Sequence, residues 1–419
     1  MDAANAVAVN ANPNGMAPAA VTSRAPPIVR ARLQSIDILR GAVMMVMALD
    51  HVRDFFHNGA QHFSPNDLTQ TTPLLFFTRW ITHFCAPTFM FLAGTSAYLQ
   101  SRRGKSRLEV ARFLWTRGLW LVVLEFTWVR WFGWRMNFDN TQLYLWVVWA
   151  LGMSMIALGG LILIPRKALL GLSVAVIVLH NSLDAVAPAQ FGGLGWLWKV
   201  FHVPDVILVG HTVIRTNYTL VPWIFVMAAG YCFGTVMDLE SGRRQHLLIR
   251  LGGALIAAFI ILRWTNLYGD SSHWGAQSSA PMTVASFLNC SKYPPSLLYL
   301  LMTLGPGILI LGLLERVTLG DQNPLLVFGR VPLFYYLLHL PLIHGLAMLL
   351  AWFRYGQAGF LLNAPPSLFG PTQDFPADYG YDLGFVYLIW LGTVIALYPA
   401  CNWFAALKRR SRSPVLSYL

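Results

Sequence analysis

Residues 296–314 read SLLYLLMTLGPGILILGLL, a run of 19 residues without one charged side chain. A helix of about 20 apolar residues is needed to cross the roughly 30 Å hydrocarbon layer of a bilayer. Within lipid, a helix is favoured because it satisfies its backbone hydrogen bonds inside its own segment. This stretch therefore predicts a transmembrane helix.

Runs of similar length recur along the chain. With residues 296–314 included, we predict spans at 38–56, 75–99, 113–132, 143–164, 168–187, 219–237, 247–264, 296–314, 325–350 and 384–404. Only 11% of the residues are charged and 56% are hydrophobic, whereas a soluble domain has about 25% charged residues. The composition excludes a soluble globular protein. The prediction is an all-α, polytopic helical bundle with about ten or eleven transmembrane helices.

The distribution of Lys and Arg predicts the orientation of the bundle. With the N-terminus in the cytoplasm, 21 of the 30 Lys and Arg residues fall on the cytoplasmic side, as the positive-inside rule requires. Both termini are then cytoplasmic. The net charge of +12 reflects this topology and contact with anionic lipid headgroups. The basic residues are dispersed among loops, which does not favour binding to nucleic acid.

The chain divides into three predicted regions. Residues 1–31 are rich in Ala, Asn and Pro and lack the apolar core of a secretory signal peptide, so we predict a disordered cytoplasmic tail. Residues 32–406 form the membrane domain, and 407–419 form a basic cytoplasmic tail. The outer loops are long, which indicates that the working surface faces outward; they are 57–74, 188–218, 265–295 and 351–383.

Ionisable residues concentrate at the outer end of the first span. This region contains Asp50, His51, Arg53, Asp54, His57, His62 and Asp67. The second span adds His83, and the ninth adds His339 and His344. Histidines at one membrane depth, with carboxylates to orient them, suit proton transfer near neutral pH. Alternative interpretations stay open: packed helix contacts for His83 and His339, and a solvated loop histidine for His62.

Asp37 and Arg40 stand at the cytoplasmic entry of the first span and allow two interpretations. They are spaced for an i, i+3 ion pair on a helix, and the arginine also suits a site for phosphate groups. Cys85, Cys232 and Cys401 fall within predicted spans and Cys290 in an outer loop. Their spacing predicts neither a disulfide framework nor a metal site.

Four stretches resemble bacterial members of the heparan-alpha-glucosaminide N-acetyltransferase catalytic-domain family. They read RLQSIDILRGAVMMVMALDHVRDFF (32–56), WITHFCAPTFMFLAGTSAYL (80–99), SKYPPSLLYLLMTLG (291–305) and FGRVPLFYYLLHLPLIHG (328–345). The resemblance extends from about Arg32 to the C-terminus. It implies transfer of an acetyl group from cytosolic acetyl-CoA to an acceptor on the far side of the membrane.

The resemblance also implies roles for particular residues. Extended without a gap from SIDILRG, it places His51 where a relative has an active-site Asn and His62 where that relative has its catalytic His. Because His51 replaces Asn, whether His51 or His62 is the principal base stays open. Asp50 or Asp67 would orient the base, and His83 completes the predicted catalytic set. The donor is expected to contact Asp37, Arg40, His339 and His344.

The predicted function is therefore a transmembrane acyltransferase in a bacterial cytoplasmic (inner) membrane. Its partners would be acetyl-CoA as donor, an extracytoplasmic sugar or glycan as acceptor, and membrane lipids, without a metal or nucleic acid. The sequence leaves open the acceptor, a direct or acyl-His route, and the oligomeric state, with a homodimer as one option. Two rival functions are a proton-coupled transporter or flippase using the same His and Asp residues, and a membrane scaffold.

Overall fold

The described part of the chain is mainly helical. The computed structural model describes residues 33–102, 104–363 and 375–411, together with 413, 416 and 418, so the predicted tail at 1–31 lies outside them. Its α-helices are α1 (Gln34–Phe56), α2 (Pro73–Thr82), α3 (Cys85–Ser101), α4 (Arg107–Leu124), α5 (Val147–Leu161), α6 (Arg166–Leu179), α7 (Gly195–Phe201), α8 (Leu220–Phe233), α9 (Ser241–Thr265), α10 (Ala280–Leu288), α11 (Leu297–Leu313), α12 (Pro324–Arg330), α13 (Pro332–Tyr355) and α14 (Leu383–Arg410).

Every predicted span overlaps at least one of these helices. Among the described residues, six helical stretches are long and apolar enough to cross a membrane: Arg166–Leu183, Leu220–Asp238, Ser241–Thr265, Leu297–Arg316, Pro332–Tyr355 and Leu383–Arg410. The other predicted spans correspond to α1, α3, α4 and α5, which are shorter or more polar. The chain is thus a helical membrane protein, while the count of about ten spans stays a prediction.

Two predicted spans are each formed by two helices. The span at 75–99 is interrupted at His83 and Phe84, between α2 and α3. There the hydroxyl of Tyr299 donates a hydrogen bond of 2.8 Å to the carbonyl oxygen of His83. The span at 325–350 breaks at Val331, before Pro332. Proline has no amide hydrogen to continue a helix, although it is well tolerated in a first turn, so a new helix begins there.

The region around residues 125–144 also differs from a regular span. Helix α4 continues directly into a π-helix at Glu125–Trp134. The carboxylate of the buried Glu125 accepts a hydrogen bond of 2.9 Å from the backbone amide of Trp149. Since the first amides of a helix have no partner inside it, this contact caps the start of α5.

The all-α prediction misses a small β-sheet formed by residues 142–144 and 206–215. Its strands are β1 (Gln142–Tyr144), β2 (Val206–Val209) and β3 (Thr212–Arg215), in the order β1-β3-β2. Strand β3 pairs parallel to β1 and antiparallel to β2. The β2–β3 turn has Gly210 at φ +59°, a conformation that glycine adopts readily. The apolar run VILV before Gly210 was a hairpin signal that the length of the loop obscured.

Helix α1 packs closely against α12 through two glycines. A Cβ atom at Gly41 would lie 1.8 Å from the carbonyl oxygen of Leu325, and one at Gly329 would lie 1.8 Å from that of Asp37. Small residues allow such backbone contact between membrane helices.

Replacing Gly41 by alanine is expected to destabilise the fold by about 3 kcal/mol, because the new methyl group must displace backbone. Gly253→Ala is the matched control, since a Cβ at Gly253 in α9 meets nothing within 4 Å. The measurement is thermal unfolding in detergent. Equal unfolding temperatures for the two variants would contradict the tight α1–α12 contact.

Candidate active site

The main cavity lies at the end of the bundle where α1 terminates. Its volume is about 610 Å³, and its walls come from α1, the following loop, α2, α3, the π-helix, the small sheet and the segment before α11. Its ionisable lining residues are Asp50, His51, Arg53, Asp54, His62, Arg79, Asp205, Arg215 and Lys292, with Tyr144, Tyr218 and Tyr293. Trp134 and Trp146 add aromatic surface.

Ion pairs join the carboxylates and guanidinium groups of the cavity wall. Arg53 Nη2 donates to Asp50 Oδ1 at 2.9 Å and to Asp54 Oδ1 at 2.6 Å. Arg79 donates to the other oxygen of Asp50. These side chains are at most 13% exposed, so removing one partner would leave a buried charge without compensation.

His51 contacts the carboxylate of Asp54 and two rings. Its Nδ1 lies 3.8 Å from Asp54 Oδ2. The His51 ring centroid lies 4.9 Å from that of Trp134 and 5.2 Å from that of His339. The carboxylate beside His51 is therefore Asp54, one helical turn onward, whereas Asp50 is bound by two arginines.

His62 is an exposed side chain on the turn that follows α1. Its amide donates to the carbonyl oxygen of Gly59 at 3.0 Å. His62 lines the main cavity and also a second, more open cavity of about 690 Å³. Asp50, His51 and His62 thus border the same space, and His62 is accessible from outside it.

Asp67 and His344, predicted as a catalytic and a donor-binding residue, do not line this cavity. The carboxylate of Asp67 accepts hydrogen bonds from Thr69 and Gln70, and these bonds lower its pKa. His344 is buried, with its two ring nitrogens 2.8 and 2.9 Å from the carbonyl oxygens of Gly133 and Leu361. These contacts give His344 a structural position between two segments.

His83 is fully buried beside the main cavity. Its neighbours Thr82 and Cys85 line the cavity, but His83 does not. Within the described residues, neither of its ring nitrogens has a hydrogen-bond partner. It therefore stays a candidate for contact with a bound substrate, because buried polar groups are normally partnered.

Asp37 and Arg40 lie at the opposite end of α1. Arg40 is ten residues before Asp50, about 15 Å along the helix at 1.5 Å per residue. The predicted ion pair is present, with Arg40 Nη1 3.7 Å from Asp37 Oδ1. Arg40 also donates to the carbonyl oxygen of Leu92 at 3.1 Å and contacts Ser96.

A group of buried polar atoms continues from the cavity into the bundle. His339 Nδ1 donates to the carbonyl oxygen of Tyr336 at 2.7 Å, which leaves its Nε2 as an acceptor. No hydrogen bond within the part of the chain the structure covers reaches His339 Nε2, the Tyr335 and Tyr336 hydroxyls, His51 Nδ1 or Trp134 Nε1. Polar groups in such a position are suited to contacts with water or a bound substrate.

The cationic wall of the cavity was not predicted from sequence motifs, although the distribution of Lys and Arg residues indicated it. Arg53, Arg79, Arg215 and Lys292 are four of the nine basic residues that the predicted topology assigns to the outer side, and all four line the cavity. Basic residues on the outer side, where the positive-inside rule predicts few, were therefore a usable indication of a site.

His57 anchors the loop that carries His62. The backbone amide of Gly59 donates to His57 Nδ1 at 3.0 Å, which requires that nitrogen to be unprotonated. Burial and the positive charge of Arg53 lower the pKa of His57 to about 4, against an opposing effect of Asp382.

Acidification is therefore expected to loosen this loop. The unfolded chain binds a proton at His57 near pH 6.5 and the folded chain only near pH 4, so folding stability falls as pH decreases from 6.5 to 4. The measurement is thermal unfolding of the wild type and His57→Gln across that range. A pH dependence that is equally steep in the variant would exclude His57 as its source.

The chain matches the model of a known protein family. The model of the family described as "Heparan-alpha-glucosaminide N-acetyltransferase, catalytic" matches residues 32–267. These residues make up more than half of the chain and include α1, the loop with His62, the small sheet and the first nine helices. No curated protein matches the chain.

Proposed function

The chain belongs to the heparan-alpha-glucosaminide N-acetyltransferase catalytic-domain family, and from this we propose that it transfers an acetyl group from cytosolic acetyl-CoA to an extracytoplasmic sugar or glycan. The acceptor group would be an amine or a hydroxyl. The membrane would be the cytoplasmic membrane of a bacterium, with both termini inside. In that orientation the main cavity opens on the outer side.

The observation that carries the proposal is the shared cavity of His51 and His62. Its volume of about 610 Å³ lies within the usual range of small-molecule sites. His62 places an accessible imidazole at the mouth of the cavity, where it can reach an acceptor in solution. The buried imidazole of His51 lies deeper in the same cavity. An imidazole is the most common general base near neutral pH.

In the proposed reaction His62 removes a proton from the acceptor hydroxyl or amine. The acceptor oxygen or nitrogen attacks the thioester carbonyl carbon of acetyl-CoA, the carbon–sulfur bond breaks, and the thiolate of CoA takes up a proton. Asp54 would orient His51, which either assists His62 or replaces it as the base. In a covalent variant, a histidine nitrogen would carry the acetyl group between the two substrates.

The donor would enter from the cytoplasmic end of α1. Arg40, held by Asp37, is suited to bind phosphate groups there. The unpartnered polar atoms of His339, Tyr335 and Tyr336 would hydrogen-bond the amide groups of the donor arm. This arrangement would bring the thioester to His51 at the inner wall of the cavity.

The activity is tested by incubating the purified protein with radiolabelled acetyl-CoA and candidate envelope sugars. The expected result is a labelled sugar and free CoA in equal amounts. Proton-coupled flux of a solute in liposomes that contain no acyl donor, without labelled product, would instead favour the transporter.

The proposed topology predicts the labelling of single cysteines from one side. Cys85, Cys232, Cys290 and Cys401 are all buried, so their background reaction should be low. A membrane-impermeant maleimide added to intact cells is expected to label Asn58→Cys and to leave Gly242→Cys unlabelled until the membrane is opened. The reverse pattern would show that the main cavity faces the cytoplasm.

A further inference from the structure

Lys292 is a buried cation in the wall of the main cavity. The residue is 9% exposed, and its Nζ lies 5.2 Å from the ring centroid of Tyr293 and 5.9 Å from that of Tyr218. Contacts with aromatic rings stabilise an ammonium group in part. They do not supply the opposite charge that a buried cation normally requires.

The carboxylates of the cavity are already paired with other cations. Asp50 is bound by Arg53 and Arg79, and Asp54 is bound by Arg53. Asp205 lies 2.8 Å from Lys199. Across the described residues, Lys292 has no ion pair with a carboxylate, although it faces the same space.

Hydrogen bonds fix the segment that presents Lys292. Asp270 Oδ2 accepts from the amide of Ser291 at 2.8 Å and from the hydroxyl of Ser296 at 2.6 Å. Its other oxygen accepts from the amide of Ser272 and the hydroxyl of Ser291. One buried carboxylate therefore holds the chain on both sides of Lys292.

A buried arginine holds the neighbouring part of the same loop. The guanidinium group of Arg263 donates to the carbonyl oxygens of Ser272, Phe287, Ser286 and Asn289 at 2.6 to 3.1 Å. The segment is thus ordered before any substrate arrives. A group held in place in advance binds a ligand at a lower entropic cost.

We infer that Lys292 is the anion-binding residue of the cavity and pairs with a carboxylate or phosphate of a bound substrate. The inference deepens the proposed function, on which its biological meaning rests. The two sources of such an anion are an acidic acceptor sugar and the phosphates of the donor. In either case the bound anion would supply a negative charge to pair with the ammonium group of Lys292, and the cavity would bind neutral analogues more weakly.

Direct binding tests this inference without turnover. The probes are glucuronate against glucose for an acceptor, and coenzyme A against pantetheine for the donor, each titrated into the purified full-length protein by calorimetry. We expect at least one anion to bind more tightly than its neutral partner. Lys292→Met should weaken that binding by about tenfold or more, as expected for a hydrogen bond to a charged group, and Lys292→Arg should retain most of it.

Lys167→Met is the matched control, because Lys167 is exposed at the start of α6, away from the cavity lining. If Lys292→Met binds glucuronate more weakly than the wild type does, the acceptor is the source of the anion. If the variant binds coenzyme A more weakly, the donor is the source. Thermal unfolding without ligand should show Lys292→Met at least as stable as the wild type, since the variant removes a buried charge that has no ion pair among the described residues. Failure of both anions to bind, equal binding by Lys292→Met, or a large loss of its stability would overturn the inference.

Because binding is measured directly, its outcome is independent of acetyl transfer. Anion binding by a protein without transferase activity would refute the proposed function and leave the inference intact. If Lys292→Met transferred acetyl groups with an unchanged KM for both substrates, the proposed function would stand and the inference about Lys292 would be refuted.

Discussion

Replacing His62 by asparagine is expected to lower kcat for acetyl transfer by about 10²- to 10⁴-fold, the usual contribution of a positioned general base. Asparagine has similar polarity but cannot accept a proton near neutral pH. Because His62 is exposed, its replacement should cost little folding stability. The loss is measured as the rate of labelled product at saturating acetyl-CoA and acceptor.

Two further variants make the result specific. His211→Asn is the control, since His211 is also exposed and does not line the cavity; its kcat should not change. His51→Asn introduces the residue that the family resemblance implies at that position, so we expect a smaller loss than for His62→Asn. A larger loss for His51→Asn would make His51 the principal base, and wild-type rates for both variants would refute the proposed site.

Replacing Asp50 by alanine is expected to destabilise the protein by about 3 to 5 kcal/mol, as for other buried ion pairs that lose one partner. Arg79 would be left without its carboxylate, and Arg53 would keep Asp54 alone. The expected change is a large decrease in unfolding temperature in detergent. Activity should fall as well, because these arginines shape the cavity beside His51.

Asp67→Ala serves as the control for this prediction. The carboxylate of Asp67 contacts only residues of its own turn among those described, so a far smaller loss is expected. The double variant Asp50→Ala, Arg79→Ala should recover part of the stability lost in Asp50→Ala. If the double variant were no more stable than the single one, the loss would have another source than the uncompensated Arg79.

The apolar runs were sufficient to predict the helices but not their interruptions. The run at 75–99 contains Pro87, which has no amide hydrogen to bond the carbonyl oxygen of His83 four residues earlier, but the hydrogen bond that this oxygen accepts instead comes from Tyr299 of a distant helix. Likewise, the strand Gln142–Tyr144 is only three residues long and forms because β3 supplies its partner. Pairings between remote segments cannot be read from local periodicity.

The site was predictable where its residues are close in sequence. Asp50, His51, Arg53 and Asp54 occupy about one turn of a single helix, so their proximity follows from helical geometry. The catalytic role of His62 was predicted from the family resemblance. Lys292 and Trp134 reach the cavity from separate loops and a π-helix, and only the three-dimensional packing brings them there.

The most direct test of the central claim is sided acetyl transfer in proteoliposomes of known orientation. Radiolabelled acetyl-CoA is added on the side where α1 begins, and the acceptor sugar is enclosed on the side of the main cavity. The account predicts a labelled sugar in the cavity compartment, with CoA released on the donor side, and loss of product with His62→Asn. Label that appears only when donor and acceptor share a compartment, or that persists in His62→Asn, would contradict it.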